Sequence, residues 1–250
     1  TLNGKIADAT GGLPIYNTTD DYGDVKGSGN RTDSNSSYLK VALPMDGSNN
    51  GTTFNDVSGN SHNGTAQGDA KTSTDQSRFY GSSAKFDGTG DYISLGTHAD
   101  WSLDGDFTME CWMRLNTGQK GIIATIGDNY TSTGFTFYCA EDSDLRVYGN
   151  QEYWFGYGAA NGAFSDDTWN HFALVRASGV AKMYLNGIYT GNTYSSATTW
   201  AGALVIGAEY HNSSYDYNDG YLQDFRLYKG VAKYTANFSP PTRNDFTVNN

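Results

Sequence analysis

Residues Ala84 to Leu115 read A-K-F-D-G-T-G-D-Y-I-S-L-G-T-H-A-D-W-S-L-D-G-D-F-T-M-E-C-W-M-R-L. The end of this stretch alternates without a break. Phe107, Met109, Cys111, Met113 and Leu115 fall on one face, while Thr108, Glu110, Trp112 and Arg114 fall on the other. Successive side chains of a strand point to opposite faces of its sheet, so a period of two predicts a half-buried strand with its apolar face on a core. Upstream, Gly88-Thr-Gly90 reads as a tight turn between two shorter strands at 83–86 and 92–95.

Outward from that stretch, further strands are expected at 39–45, 121–126, 134–140, 145–148, 169–176, 181–185, 188–190, 204–206 and 222–228. Asn186-Gly187 sits between two such runs and predicts a type I′ hairpin, which needs positive φ at both central residues. Pro44 cannot donate to a ladder, so it belongs at the end or on the edge of the first strand. Asp46 to Arg78 reads as one long polar loop, and Val231 to Phe238 as a single turn of helix stopped by Pro240 and Pro241. The count and spacing of strands predict an all-β sandwich of two packed antiparallel sheets. Its buried residues should include Met109, Cys111, Met113, Phe135, Phe137, Val175, Met183, Leu185, Val205 or Ile206, Phe225 and Leu227.

Composition agrees. The 250 residues include 31 Gly and 19 Tyr but only 4 Pro, as long strands joined by Gly- and Asn-rich turns require. The net charge is −11 with 16 Lys and Arg, leaving no basic stripe to displace phosphate counterions, so nucleic acid is set aside as a partner. No apolar run approaches the roughly 20 residues of a membrane helix, so no membrane insertion is expected. Cys111 and Cys139 both lie on apolar faces and read as buried thiols, with a disulfide as the alternative. Residues 1–37 hold few apolar side chains and no sustained period, so they read as a disordered leader or as an extended N-terminal arm that orders against a neighbour, without a core of its own. Leu13, Ile15 and Tyr16 are its candidate anchors on a neighbouring subunit. The expected organisation is arm 1–37, sandwich 38–243 and tail 244–250.

Two later blocks complete a wider pattern. One is Trp169-Asn-His-Phe-Ala-Leu-Val-Arg176 followed by Ala181-Lys-Met-Tyr-Leu-Asn-Gly187. The other is Leu204-Val-Ile-Gly207 followed by Gly220-Tyr-Leu-Gln-Asp-Phe-Arg-Leu-Tyr228. With the opening stretch, in this order, they resemble the laminin-G-like branch of the concanavalin A-like lectin/glucanase superfamily, over about Tyr38 to Thr242. The resemblance implies a jelly-roll sandwich and carbohydrate ligands. The segments Asp224 to Thr242, Leu39 to Gly47 and Pro14 to Asp20 further resemble modules in virion proteins of tailed phages from marine and cyanobacterial hosts. That implies a non-catalytic module of a tail fibre or capsid appendage, at the virion surface or otherwise extracellular. Such a module would bind host glycans or neighbouring subunits, in a homo-oligomer. The alternative is a purely structural subunit that self-assembles into a fibre or lattice without a sugar ligand.

A glycoside hydrolase ranks third. Retaining enzymes hold two carboxylates about 5–5.5 Å apart across the scissile bond. The chain has four Glu (Glu110, Glu141, Glu152 and Glu209), and none has another within five residues. His171 reads as a packed structural histidine beside Trp169. His62, His98 and His211 lie in loops with no nucleophile elbow nearby, and no Cys/His zinc spacing is present.

Two constellations remain as candidate sites. Asp56-Val-Ser-Gly-Asn-Ser-His-Asn63 looks like the Asp-x-Ser-Gly-Asn loop common in this family. Its oxygens offer Ca²⁺ ligands in Asp56, Asn60 and Asn63, with Asp224 completing the set from the last strand. The alternative is an Asx-turn loop with no ion, since Asp and Asn hydrogen-bond their own backbone. The second constellation is aromatic: Tyr210, Tyr215 and Tyr217 in one polar segment, Tyr153 and Trp154 in another. Such rings stack on sugar faces or anchor interfaces, and simple packing is the competing account.

Overall fold

Alternation along Phe107–Leu115 becomes the centre of a sheet in the computed structural model, which describes residues 33–140, 144–150, 152–157, 164–211 and 214–240. Four two-residue strands are also described before Thr32, pairing Lys5–Ile6 with Ile15–Tyr16 and Val25–Lys26 with Asn30–Arg31. Leu13 and the side chains of Ile15 and Tyr16 lie outside the described residues.

The first sheet runs β14 (Ile188–Ser195), β13 (Val180–Leu185), β12 (Asn170–Ala177), β7 (Phe107–Leu115), β18 (Asp219–Lys229), β5 (Ser83–Asp87), β4 (Lys71–Ser73). A further strand, β1 (Leu39–Leu43), also pairs with β18. The second sheet runs β11 (Glu152–Tyr157), β10 (Leu145–Gly149), β9 (Phe135–Cys139), β8 (Gly121–Ile126), β15 (Ala203–Ile206), β6 (Tyr92–Thr97), β3 (Gly64–Gln67), β2 (Thr53–Phe54). A separate hairpin, β16 (Ala208–His211) and β17 (Ser214–Tyr217), follows the second sheet. Every described ladder is antiparallel.

The inward faces meet as expected. Phe107, Met109, Cys111, Met113 and Leu115 pack with Phe135, Phe137, Cys139, Met183, Leu204, Ile206, Phe225 and Leu227 in one continuous core. Both cysteines are free and buried there, and burial pushes both thiols well above their ordinary range. Pro44 falls just past the end of β1, and Asn186 and Gly187 have φ of 50° and 79°, the turn their dipeptide requires.

Three expectations are corrected. The stretch Asp46 to Arg78 is not one loop, because β2, β3 and β4 lie within it. They are short and mostly polar, so period-two patterning is faint, and Phe54 is the buried apolar anchor of the first. Val231 to Phe238 forms no helix. It is an extended strap laid across the outer face of the first sheet, where Tyr234 and Phe238 join Ala173, Val175 and Tyr184 in a second apolar cluster. Val175 is therefore buried under the strap and not between the sheets. Gly187 is obligatory beneath it, because a Cβ there would stand 1.9 Å from the Phe238 carbonyl oxygen.

The strap also overturns the half-buried reading of β7. Thr108, Glu110 and Trp112 are all nearly inaccessible, although they face away from the core. Glu110 accepts from Lys233 Nζ at 2.7 Å and from the Tyr234 hydroxyl at 2.7 Å. His171 Nε2 lies 3.4 Å from the same carboxylate, its ring edge-on to Trp112 and Phe238. Burial pushes Asp224 up to about 7 and His171 down, while Glu110, for which burial acts the other way, is held well below its usual range by Lys233 and His171.

Candidate functional site

The second sheet also carries chemistry on its outward face. Strands β8 and β9 present Ile122 and Tyr138 there, packed with Ala140 and Tyr148 in a cluster separate from the core. Thr125 and Thr136 are fully buried on the same face because the β16–β17 hairpin folds over them. Thr125 Oγ1 donates to the Ala208 carbonyl at 2.9 Å, which uses its single proton. The 3.0 Å contact between the two hydroxyls must then run from Thr136 to Thr125. Thr136 is left as acceptor for Asn129 Nδ2, also at 3.0 Å. The second amide proton of Asn129 goes to Glu209 Oε1 at 2.6 Å, and Asn129 Oδ1 stays enclosed without a hydrogen-bond partner.

Glu209 and Asp216 face each other across the hairpin, and both converge on Lys120 at the start of β8. Lys120 Nζ lies 2.7 Å from Glu209 Oε2, 2.6 Å from Asp216 Oδ2 and 4.9 Å from the centre of the Tyr138 ring. Burial alone would pull this ammonium down, but the two carboxylates outweigh that and hold it above the ordinary lysine value. Beside this cluster, the rings of Tyr130 and Tyr148 meet with centroids 6.3 Å apart at 52°. Tyr130 is 36 % exposed, one of few large aromatics at the surface among the described residues. The outer face thus sets the part-exposed Tyr130 ring beside a largely buried network of amide, carboxylate and ammonium groups that satisfy one another, and a ring so placed can stack on a sugar face.

A laminin G-type family model, described as the concanavalin A-like lectin/glucanases superfamily, matches residues 87–233. This chain belongs to that superfamily. No curated protein matches it in sequence. Among solved structures, domain 4 of AbnA, an extracellular GH43 arabinanase from Geobacillus stearothermophilus solved with arabinotriose, superposes with a TM-score of 0.58 at 15 % identity. The match covers 78 % of this chain and 93 % of that domain. The binding domain of botulinum neurotoxin serotype D gives a TM-score of 0.58 at 13 % identity, over 80 % of this chain and 50 % of the toxin domain. A Trypanosoma rangeli sialidase mutant displaying trans-sialidase activity gives 0.59 at 12 %, covering 79 % of this chain and 32 % of the sialidase. This chain therefore spans about half of the toxin domain and a third of the sialidase. At these identities the likeness establishes the lectin-like fold.

Of the expected aromatic residues, Tyr217 is half-buried in the hairpin that supplies Glu209 and Asp216. Tyr210 pairs in register with Tyr215 in that hairpin, and Tyr153 with Tyr148 across β10 and β11. The side chains of Tyr210, Tyr215, Tyr153 and Trp154 lie outside the described residues. Lys120, Asn129 and the meeting of Tyr130 with Tyr148 escaped the sequence reading, because strand pairing brings them together from separate turns and no local motif announces them.

The expected calcium ligands do not form a cage. Asp56 Oδ1 accepts from the backbone N–H of Ala42 and Ser58, and Oδ2 from Ser58 Oγ and the His62 N–H, all at 2.8–2.9 Å. Asn63 Oδ1 accepts from the Asp56 N–H, and Asn60 Nδ2 donates to the carbonyls of Leu39 and Lys40. Asp224 is a correction: it does not join this loop. It sits in a bulge of β18 with φ of 62°, buried, its carboxylate 3.1 Å from Arg226 Nε. The loop is an Asx turn in which the Asp56 and Asn63 oxygens already accept from donors and Asn60 turns its amide nitrogen to two carbonyls, an arrangement that does not fit a Ca²⁺ cage. Asp56→Ala should lower stability by about 2 kcal/mol, since several bonds to one carboxylate are lost together. A chemical denaturation midpoint unchanged from the parent chain would refute that role.

Proposed function

We propose that this chain is a non-catalytic carbohydrate-binding module whose ligand seats on the outward face of the second sheet. The observation that carries it is the exposed Tyr130 ring beside Tyr148, flanking the Lys120–Glu209–Asn129 network. The fold supports it, and so does the arabinanase domain, which was solved with arabinotriose. The non-catalytic part rests on charge use: a hydrolytic pair needs one carboxyl to donate a proton, and here Glu209 and Asp216 both accept from one ammonium. The finer setting, a surface module of a phage virion displayed on an oligomer, rests on the resemblance of Asp224 to Thr242 and of the leader around Pro14.

A glycan array probed with the full chain tests this reading. Tyr130→Ala, made at an exposed position, should leave folding intact and weaken glycan binding by about 5- to 30-fold, the 1–2 kcal/mol of a lost aromatic anchor. Tyr148→Ala should act in the same direction. Glycan binding indifferent to both substitutions would move the site elsewhere. Absence of glycan binding, with ordered oligomers visible by electron microscopy, would favour the purely structural subunit.

A further inference from the structure

Away from that face, the structure gathers another set of chemistry-bearing side chains. His62 lies in the Asx-turn loop just before β3, while His98 and Asp100 lie in the turn after β6 that opens the short 3-10 helix Ala99–Trp101. Since β3 and β6 are neighbours in the second sheet, the two turns emerge side by side. His62 Nε2 is 2.7 Å from Asp100 Oδ2, and His98 Nδ1 is 3.3 Å from the same oxygen. One donor atom from each of the three residues lies within 4.8 Å of the others. The imidazole centroids are 4.4 Å apart, and buried Trp101 walls the inner side, 5.0 Å from His62 and 5.3 Å from His98. Trp101 is itself held by its Nε1 donating to the Gly96 carbonyl at 3.0 Å.

Hydrogen bonding leaves this set electron-rich. The Asp100 N–H donates to His98 Nδ1 at 3.1 Å, so that nitrogen carries no proton, and an ion bound there takes the place of this hydrogen bond. Nδ1 also stands 3.3 Å from an Asp100 carboxylate oxygen, which a proton of His62 holds from the other side. A positive centre among them would remove the repulsion.

We propose that His62, His98 and Asp100 form a binding site for a divalent transition-metal ion such as Zn²⁺, with its remaining coordination positions open to solvent. Two imidazoles and a carboxylate suit such ions better than Ca²⁺ or Mg²⁺, which prefer oxygen alone. Metal–ligand bonds of about 2.0–2.2 Å in tetrahedral geometry put ligand atoms about 3.3–3.5 Å apart. The 3.3 Å between His98 and Asp100 already matches, while the 2.7 Å hydrogen bond between His62 and Asp100 would open to admit the ion. His98 is 48 % exposed and Asp100 27 %, which gives an ion a path in. Behind the ligands, the Asp56 carboxylate accepts from the His62 backbone N–H, so the Asx turn positions a ligand of this site. The ion would tie the His62 loop to the 98–101 turn.

Isothermal titration of the tag-free, metal-free full chain with Zn²⁺, and optical titration with Co²⁺, test this. One equivalent should bind, with Co²⁺ giving visible d–d absorption and Zn²⁺ raising the melting temperature. His98→Ala and Asp100→Asn should each weaken binding at least tenfold and abolish the thermal shift, while the metal-free proteins melt close to the parent. Three results would overturn the proposal. One is no saturable binding at micromolar Zn²⁺. A second is binding that persists when His98→Ala and Asp100→Asn are combined, which would move the ion to another site. A melting temperature that responds to pH through the imidazole range but not to metal would likewise make the cluster a proton-linked clasp and end the metal assignment.

Discussion

Lys233→Met is expected to destabilise the protein by about 3–5 kcal/mol, the cost of stranding one member of a buried ion pair. The strap leaves Glu110 and Lys233 each 1 % exposed, 2.7 Å apart, with the Tyr234 hydroxyl and His171 on the other carboxylate oxygen. Removing the ammonium leaves a carboxylate that water cannot reach. The double variant Glu110→Gln/Lys233→Met should therefore recover much of the loss, and that non-additivity is what a double-mutant cycle reads. Additive losses would mean the pair is not coupled. The pH dependence has a definite sign. Glu110 is depressed in the folded state, so its contribution is complete above its unfolded pKa of about 4.3 and is lost as pH falls below it. Asp224, raised to about 7, works oppositely: the folded state holds its proton more tightly, so stability from this group declines as pH rises from about 4 to 7. Glu110→Gln should flatten the acid limb of the stability profile, and Asp224→Asn the decline toward neutrality.

That cluster also marks where reading the chain stops. Alternation in Phe107–Leu115 was enough to orient β7 and name its core side chains, because each choice of face is local. Nothing local reports what covers the other face. Lys233 reaches Glu110 across 123 residues, and the strap that carries it has no period, only a Lys-Tyr pair and Phe238 to bind with. A Glu among buried β-strand positions was the available signal, since an unpaired carboxylate there would be untenable. The same limit applies to the sites. Asp56 could be located from its turn-rich loop, yet whether its oxygens faced an ion or their own backbone was a question of geometry. In the sequence His62 and His98 are loop residues without a metal-ligand spacing, because such a spacing runs along the chain while these two meet across neighbouring strands. Tyr130 and Tyr148 likewise meet only through the β8–β9–β10 meander.

Arg176→Ala should cost a further about 3–5 kcal/mol, through orphaned carbonyls and not through a lost ion pair. Arg176 ends the Trp169 to Arg176 block and is 1 % exposed. Its guanidinium donates to the carbonyls of Gly105, Thr198 and Leu103, each at 2.7 Å. It also lies 4.5 Å over the Trp200 ring and 5.4 Å from the centre of Phe107. These carbonyls belong to the two loops that close one end of the sandwich, joined by the Leu103–Trp200 bridge. An alanine would leave them facing a cavity, at about 1–3 kcal/mol for each unsatisfied buried group, softened where water enters. Arg176→Lys tells charge from shape. A lysine keeps the positive charge near Asp104 and Asp106 but replaces a planar fork with a single point donor that stacks poorly on Trp200. Less than half of the lost stability should return in the lysine variant, measured by denaturant melts with an unchanged m-value. Full recovery would show that charge alone holds this end of the sandwich closed, and that the fork geometry contributes little.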